Sequence, residues 1–184
     1  MNISETILGR ESVRAYLDKP VSNDDLEKII EAGRWAPNGG PFQISVIRNA
    51  SLRKKINDSA LKAMRESGIE FAQKRASLPG YQPLYGAPVL ILLSAPGELP
   101  NSPFNTALAA ENMILEATGL GLGSCFLLSP KRVLDGNHNT ELVKKAGIPD
   151  GYKLQCAIIV GHAAAENKFA LGERAVKGSV NYVD

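Results

Sequence analysis

Cysteine is nearly absent from this 184-residue chain, which holds only Cys125 and Cys156. Both lie inside apolar runs, SCFLLS and LQCAIIV, where a reduced thiol behaves as a small hydrophobe. A disulfide scaffold is excluded, and neither a disulfide nor a metal site is expected. Histidine is equally rare: His138 and His162 stand apart from any serine or cysteine at a recognisable spacing, so hydrolytic chemistry has no equipment. His162, after a strand end, reads as a satisfied polar residue. The longest apolar stretch, Pro88 to Ala95, is far below the roughly 20 residues that span a bilayer. The opening MNISETILGRESVR has no basic segment followed by an apolar one, which leaves a cytoplasmic location as the expectation. Charge of one sign is also missing. With 21 basic and 19 acidic side chains the formal charge is +2, too weak a field to imply nucleic acid or an anionic membrane. Any anion must be bound locally.

What is present is an ordinary globular balance, 44 % hydrophobic and 22 % charged. At roughly 150 residues per domain, the length predicts one domain over residues 1–184. Ile3 to Leu8 reads as a short helix delivering the chain to a loop at Gly9 to Tyr16. Ser22 caps a helix with Asp25 at the capping-box position, an apolar stripe of Leu26, Ile29 and Ile30, and Gly33 as its stop. Asp24-Asp25 then needs no role beyond the helix dipole. Gln43 to Ile47 alternates as a strand, and Ser51 opens a long helix through Ile56, Leu61 and Met64 towards Phe71. Two prolines and two glycines make Ser77 to Ala87 an exposed lip.

Val89 to Leu93 is apolar at each position, as a central strand covered on both faces requires. Asn105 to Thr118 reads as the most buried helix, Ser124 to Leu128 as a strand, Asn139 to Ala146 as a helix, and Leu154 to Val160 as a strand. The layout is α+β with a four-stranded core sheet. The tail around Val180 to Val183 alternates and is a candidate further strand, in this sheet or in a partner's.

Gly119-Leu120-Gly121-Leu122-Gly123-Ser124 is not a dinucleotide fingerprint, because that motif needs a strand before the glycines and a helix after them. Here a helix comes first, and its carbonyl end would repel phosphate. The glycines read as a helix stop leading into a buried strand. Arg10-Glu11-Ser12-Val13-Arg14 is more informative: in an extended chain Arg10, Ser12 and Arg14 face one side. Two guanidinium forks and a hydroxyl suit a cofactor phosphate; the alternative is surface arginines paired with Glu11 or Asp18. Ala36-Pro37-Asn38-Gly39-Gly40-Pro41-Phe42-Gln43 offers glycines for close approach to a flat ligand and then a side-chain amide, or it is simply a long turn.

In this order the motifs resemble those of the FMN-dependent nitroreductase family. Arg10 to Tyr16 is similar to its Arg-x-Ser-x-Arg-x-aromatic opening, and Ala36 through Gln43 to its Ala-Pro-Ser-x-x-Asn-x-Gln loop. The likeness continues through Ala87 to Ile91, Asn105 to Ser124 and Ile158 to Gly161. Pro41 stands where the family usually has Asn, and Ile44-Ser45 replaces a common Pro-Trp pair. The resemblance implies a mostly antiparallel sheet flanked by helices in an intertwined homodimer, with FMN sites built from both subunits. Arg10 and Ser12 would hold the phosphate, completed by Arg174 or Lys177, and Arg14 would reach the ribityl chain and ring. Pro37, Asn38, Gly39 and Gln43 would come from the other subunit, while Phe126, Leu127, Leu128 and Ser129 cover the opposite side of the ring. It implies NADH or NADPH as the reductant and a small organic acceptor, such as a nitroaromatic, quinone or enone. The acceptor pocket is expected at the lip from Phe71 to Tyr85, with Tyr81 and Tyr85 as stacking groups. The chemistry then belongs to the cofactor, and no protein acid, base or nucleophile is expected to be essential. A flavin-binding sensor or storage module without turnover, or a dehalogenase-type enzyme, would use the same contacts.

Overall fold

In the computed structural model, residues 2–135, 140–167, 169–172 and 175–183 are described. In chain order the elements are α1 (Ile3–Gly9), α2 (Asn23–Arg34), β1 (Gln43–Ile47), α3 (Ala50–Arg65), α4 (Glu70–Ala76), β2 (Val89–Pro96), α5 (Ser102–Gly119), β3 (Gly123–Leu127), a 3-10 turn (Ser129–Arg132), α6 (Thr140–Lys145) and β4 (Tyr152–Gly161). The strands form one sheet in the order β1-β2-β4-β3, and every pairing is antiparallel.

The period of two along the central strands sorts their side chains into two cores. Val89, Ile91, Leu93, Ile158 and Val160 pack on one face against Ile29 of α2 and Met113 and Ile114 of α5. Leu90, Leu92, Ala157 and Ile159 pack on the other against Ile56 of α3, Leu134 and Leu142. The wholly apolar reading of β2 therefore meets helices on both sides. The α2–α5 contact depends on Gly33, where a Cβ would stand 2.2 Å from Met113 Cε and 2.8 Å from its Cγ. Gly33 is thus an interior position of close approach, and α2 ends one residue later at Arg34. It is not the stop.

Four other expectations change. Asn49, not Ser51, caps α3, its Oδ1 accepting from Leu52 N at 2.9 Å. The helix expected to reach Phe71 breaks after Arg65, where Ser67 Oγ donates to the Met64 carbonyl and Gly68 takes φ +66°, and Phe71 belongs to α4. The lip is not an open flap: Tyr81, Leu84 and Ala87 are buried in it. Residues 175–183 form no strand in this chain. Asn139, expected at the start of α6, and His138 lie outside the described residues.

Cys125 and Cys156 are free thiols on opposite faces of the sheet. Burial, weakly opposed by a contact with Thr106, pushes the Cys156 thiol up from its ordinary 9.0 to about 12. A thiol raised in the folded state stabilises the fold fully below the unfolded value, and the contribution fades as pH climbs from 9 towards 12. Between about pH 8.5 and about pH 10.5, urea-denaturation stability is expected to fall more steeply in the native protein than in Cys156→Ala. Equal slopes would mean the thiol ionises as freely as in water.

Candidate functional site

Residues 10–16 run along the outer edge of β3. Ser12 bridges Ser124 in parallel, Val13 N donates to the Ser124 carbonyl at 2.8 Å, and Tyr16 bridges Ala163 just past β4. Two glycines make room for this segment. A Cβ at Gly123 would lie 2.9 Å from both Val13 methyls, and one at Gly161 would lie 2.5 Å from Pro88 Cδ and 2.9 Å from Tyr16 Cδ1. The Tyr16 hydroxyl donates to the Val13 carbonyl at 2.8 Å, and burial raises its phenol well above the ordinary range, so it stays protonated as a donor.

With Val13 turned into the protein, its alternating neighbours turn out. Arg10, Ser12 and Arg14 line one cavity of about 280 Å³ with Glu11, Asn167, Gly172 and Lys177, three cations against one carboxylate. Arg14 Nη1 donates to the Ser12 carbonyl at 3.3 Å, so Arg14 points along the segment and not to Glu11 or Asp18. Asn167 fastens the tail here, its Oδ1 accepting from Arg14 N at 3.0 Å and its Nδ2 donating to the Ser12 carbonyl at 3.2 Å. An asparagine in a polar tail carries no sequence signal for this role. Both of its bonds go to backbone, and only the fold brings it there.

A second cavity, about 210 Å³, shares Arg14 and Leu171 with the first and is lined by Phe71, Arg75, Tyr81, Tyr85, Cys125 and the run Phe126, Leu127, Leu128 and Ser129. Arg75 Nη2 donates to the Tyr85 hydroxyl at 3.1 Å and the Phe169 carbonyl at 3.0 Å, and its guanidinium lies 5.1 Å from the Tyr81 ring centre. Tyr81 meets Tyr85 and Phe169 edge-on, with centroids 5.6 and 5.5 Å apart. Burial raises the Cys125 thiol, although Arg14 and Ser12 pull the other way. The thiol is therefore neutral, and it serves as wall.

The structure brings the N-terminal trio and the 126–129 run to neighbouring cavities, but not the second loop. Pro37, Asn38 and Gly39 are exposed ahead of β1 and Gln43 at its first position; Asn38 Oδ1 accepts from Gly40 N at 2.8 Å and Gly39 N donates to Asn105 Oδ1 at 3.4 Å. β1 and β3 are the two edges of the sheet. Three strand spacings, roughly 14 Å, separate them. Arg174 lies outside the described residues.

With this geometry in view, comparisons with known proteins give one consistent result. A putative NADH dehydrogenase/NAD(P)H nitroreductase of Archaeoglobus fulgidus is 27 % identical over 172 residues, covering 89 % of this chain and 86 % of the relative. An FMN reductase (NADPH) of Bacillus subtilis is 26 % identical over 170 residues, and the chain spans 66 % of that longer protein. The crystal structure of a nitroreductase with bound FMN from Bacteroides fragilis superposes with a TM-score of 0.86 at 29 % identity, covering 100 % of both chains. A model of the Nitroreductase family matches residues 7–162, from the approach to the cationic segment through the end of β4, and the chain belongs to that family.

Proposed function

We propose that this protein is an FMN-dependent oxidoreductase, a single domain that acts as a cytoplasmic homodimer and uses NADH or NADPH to reduce a small organic acceptor. The observation that carries the reading is the joint cavity: Arg10, Ser12, Arg14 and Lys177 converge at one end, and Arg14 continues into an aromatic-lined space at the other. The donor set fits the group. Two guanidiniums, an ammonium and a hydroxyl match a phosphate monoester, and Phe126 and Leu128 offer apolar surface for a flat ring. Bound there, FMN would supply two-electron chemistry, taking electrons from the reduced nicotinamide and giving them to the acceptor.

The chain's own residues bind, orient and shield. Arg10, Ser12 and Lys177 would grip the phosphate. Arg14, held by its bond to the Ser12 carbonyl, would set a positive charge beside the bound group, where it would stabilise negative charge. Leu127 and Ser129 would help to close the opposite side. Pro37, Asn38, Gly39 and Gln43 are on the far edge of their own sheet and would come from a second copy. Exposed apolar side chains support such a partner: Trp35 is 80 % exposed, Phe104 69 % and Tyr182 86 %.

Purified protein is expected to be yellow, to release FMN on denaturation, and to sediment as a dimer of 19.7 kDa subunits. On stopped-flow mixing with NADH or NADPH the flavin absorbance should bleach rapidly. Persistent colour would reduce the protein to a binding module, and a colourless protein with no affinity for FMN would end the reading.

A further inference from the structure

The second cavity is cationic, and the flavin phosphate end does not account for that. Three arginines, Arg14, Arg75 and Arg132, contribute to its lining and no aspartate or glutamate does. Arg132 is exposed, and Arg14 is committed to the segment beside the first cavity. Arg75 differs from both. It rises from α4 and is only 9 % exposed, and it meets a phenol, a backbone carbonyl and the face of an aromatic ring. Among the described residues, no carboxylate forms an ion pair with it.

Its hydrogen bonds to the Tyr85 phenol and the Phe169 carbonyl offset the cost of burying the guanidinium, but they supply no opposite charge, which an arriving anion would bring. Beside it stand the rings of Phe71 and Tyr85 and the apolar side chain of Leu171. Such a surface complements a planar ring that carries an anionic oxygen group, the ring lying on the walls and the oxygens meeting the fork of the guanidinium. We propose that Arg75 reads an anionic substituent on the electron acceptor, so that aromatic acceptors bearing a carboxylate or sulfonate are preferred to neutral ones of the same shape. This specificity rests on the flavin reading above, which leaves the 126–129 run to the flavin ring and the Phe71, Arg75 and Tyr85 wall of the same cavity to the acceptor.

The test is calorimetric binding of two matched ligands, 4-nitrobenzoate and 4-nitrobenzamide, to the purified protein with whatever flavin it carries. The carboxylate is expected to bind about tenfold or more tightly than the amide, the scale of a charge-assisted hydrogen bond. In Arg75→Gln that ratio should fall towards one, and in Arg75→Lys much of it should return. If Arg75 merely props Tyr85 and Phe169, its loss will weaken both ligands alike and leave the ratio intact, which overturns the proposal. Equal or undetectable binding of the two ligands by the native protein overturns it as well, whether or not the variants fold. Flavin released from the same native sample tests the other reading separately. A flavin-free protein that still prefers the carboxylate keeps the anion site and loses the oxidoreductase, and a yellow protein without preference does the reverse.

Discussion

Arg10→Ala is expected to lose about 1.5–3 kcal/mol of FMN binding, the scale of one charge-assisted hydrogen bond. That is roughly a 10- to 150-fold rise in Kd. Arg10 shares its cavity with Ser12, Arg14 and Lys177, and it leads the segment that β3 holds in place. Because its proposed partner is the phosphate and not the reacting ring, electron transfer from the reduced nicotinamide in the FMN-saturated variant should be close to normal. Titration of the apoprotein with FMN, followed by flavin fluorescence, gives the affinity. Arg34→Ala serves as the control, since Arg34 sits in an exposed pair with Glu31. An affinity for FMN unchanged in Arg10→Ala, or a loss equally large in Arg34→Ala, removes Arg10 from the phosphate site.

Gly161→Ala should damage both the fold and the site. The added methyl would stand 2.5 Å from Pro88 Cδ and 2.9 Å from Tyr16 Cδ1. Neither neighbour yields easily: Pro88 is a ring immediately before β2, and Tyr16 is tied to the Val13 carbonyl. Overpacking of this kind costs about 1–3 kcal/mol, and Tyr16, displaced, would carry residues 10–14 away from β3. Lower urea stability together with weaker FMN binding is the expected result. Gly119→Ala is the comparison, because nothing lies within 4 Å of its Cβ position and it sits at the helical end of α5. That change should leave stability unchanged or slightly raised. If the two variants behave alike, Gly161 has no part in seating the cationic segment.

Local signals in the chain were sufficient for most of the elements. The unbroken apolar run of β2, the alternation of β1 and the capping serine of α2 all lead to the observed structure, because each depends on period or on a neighbour three residues away. Readings failed where the deciding contact was distant or one of two local devices won. Gly33 resembles a helix stop, but its smallness serves Met113, eighty residues further on. Prolines and glycines in the lip signal irregular backbone, which is observed. They say nothing about burial, and Tyr81 is buried because Arg75 and Phe169 close over it.

The candidate site divides in the same way. Donors at alternate positions 10, 12 and 14 are a property of the chain, since an extended backbone puts them on one side whatever surrounds it. That they line a cavity, that Asn167 fastens the tail beside them, and that Gly123 and Gly161 admit the segment are products of the fold. Sequence by itself determined the residue types and their period, and through them the elements, the sheet class and the trio of donors. Tertiary structure alone decided which cation is buried without a carboxylate, and that the 37–43 loop and the trio occupy opposite edges of one sheet. The reason is physical: burial and proximity depend on chain segments far apart in number, and no local pattern encodes the distance between them.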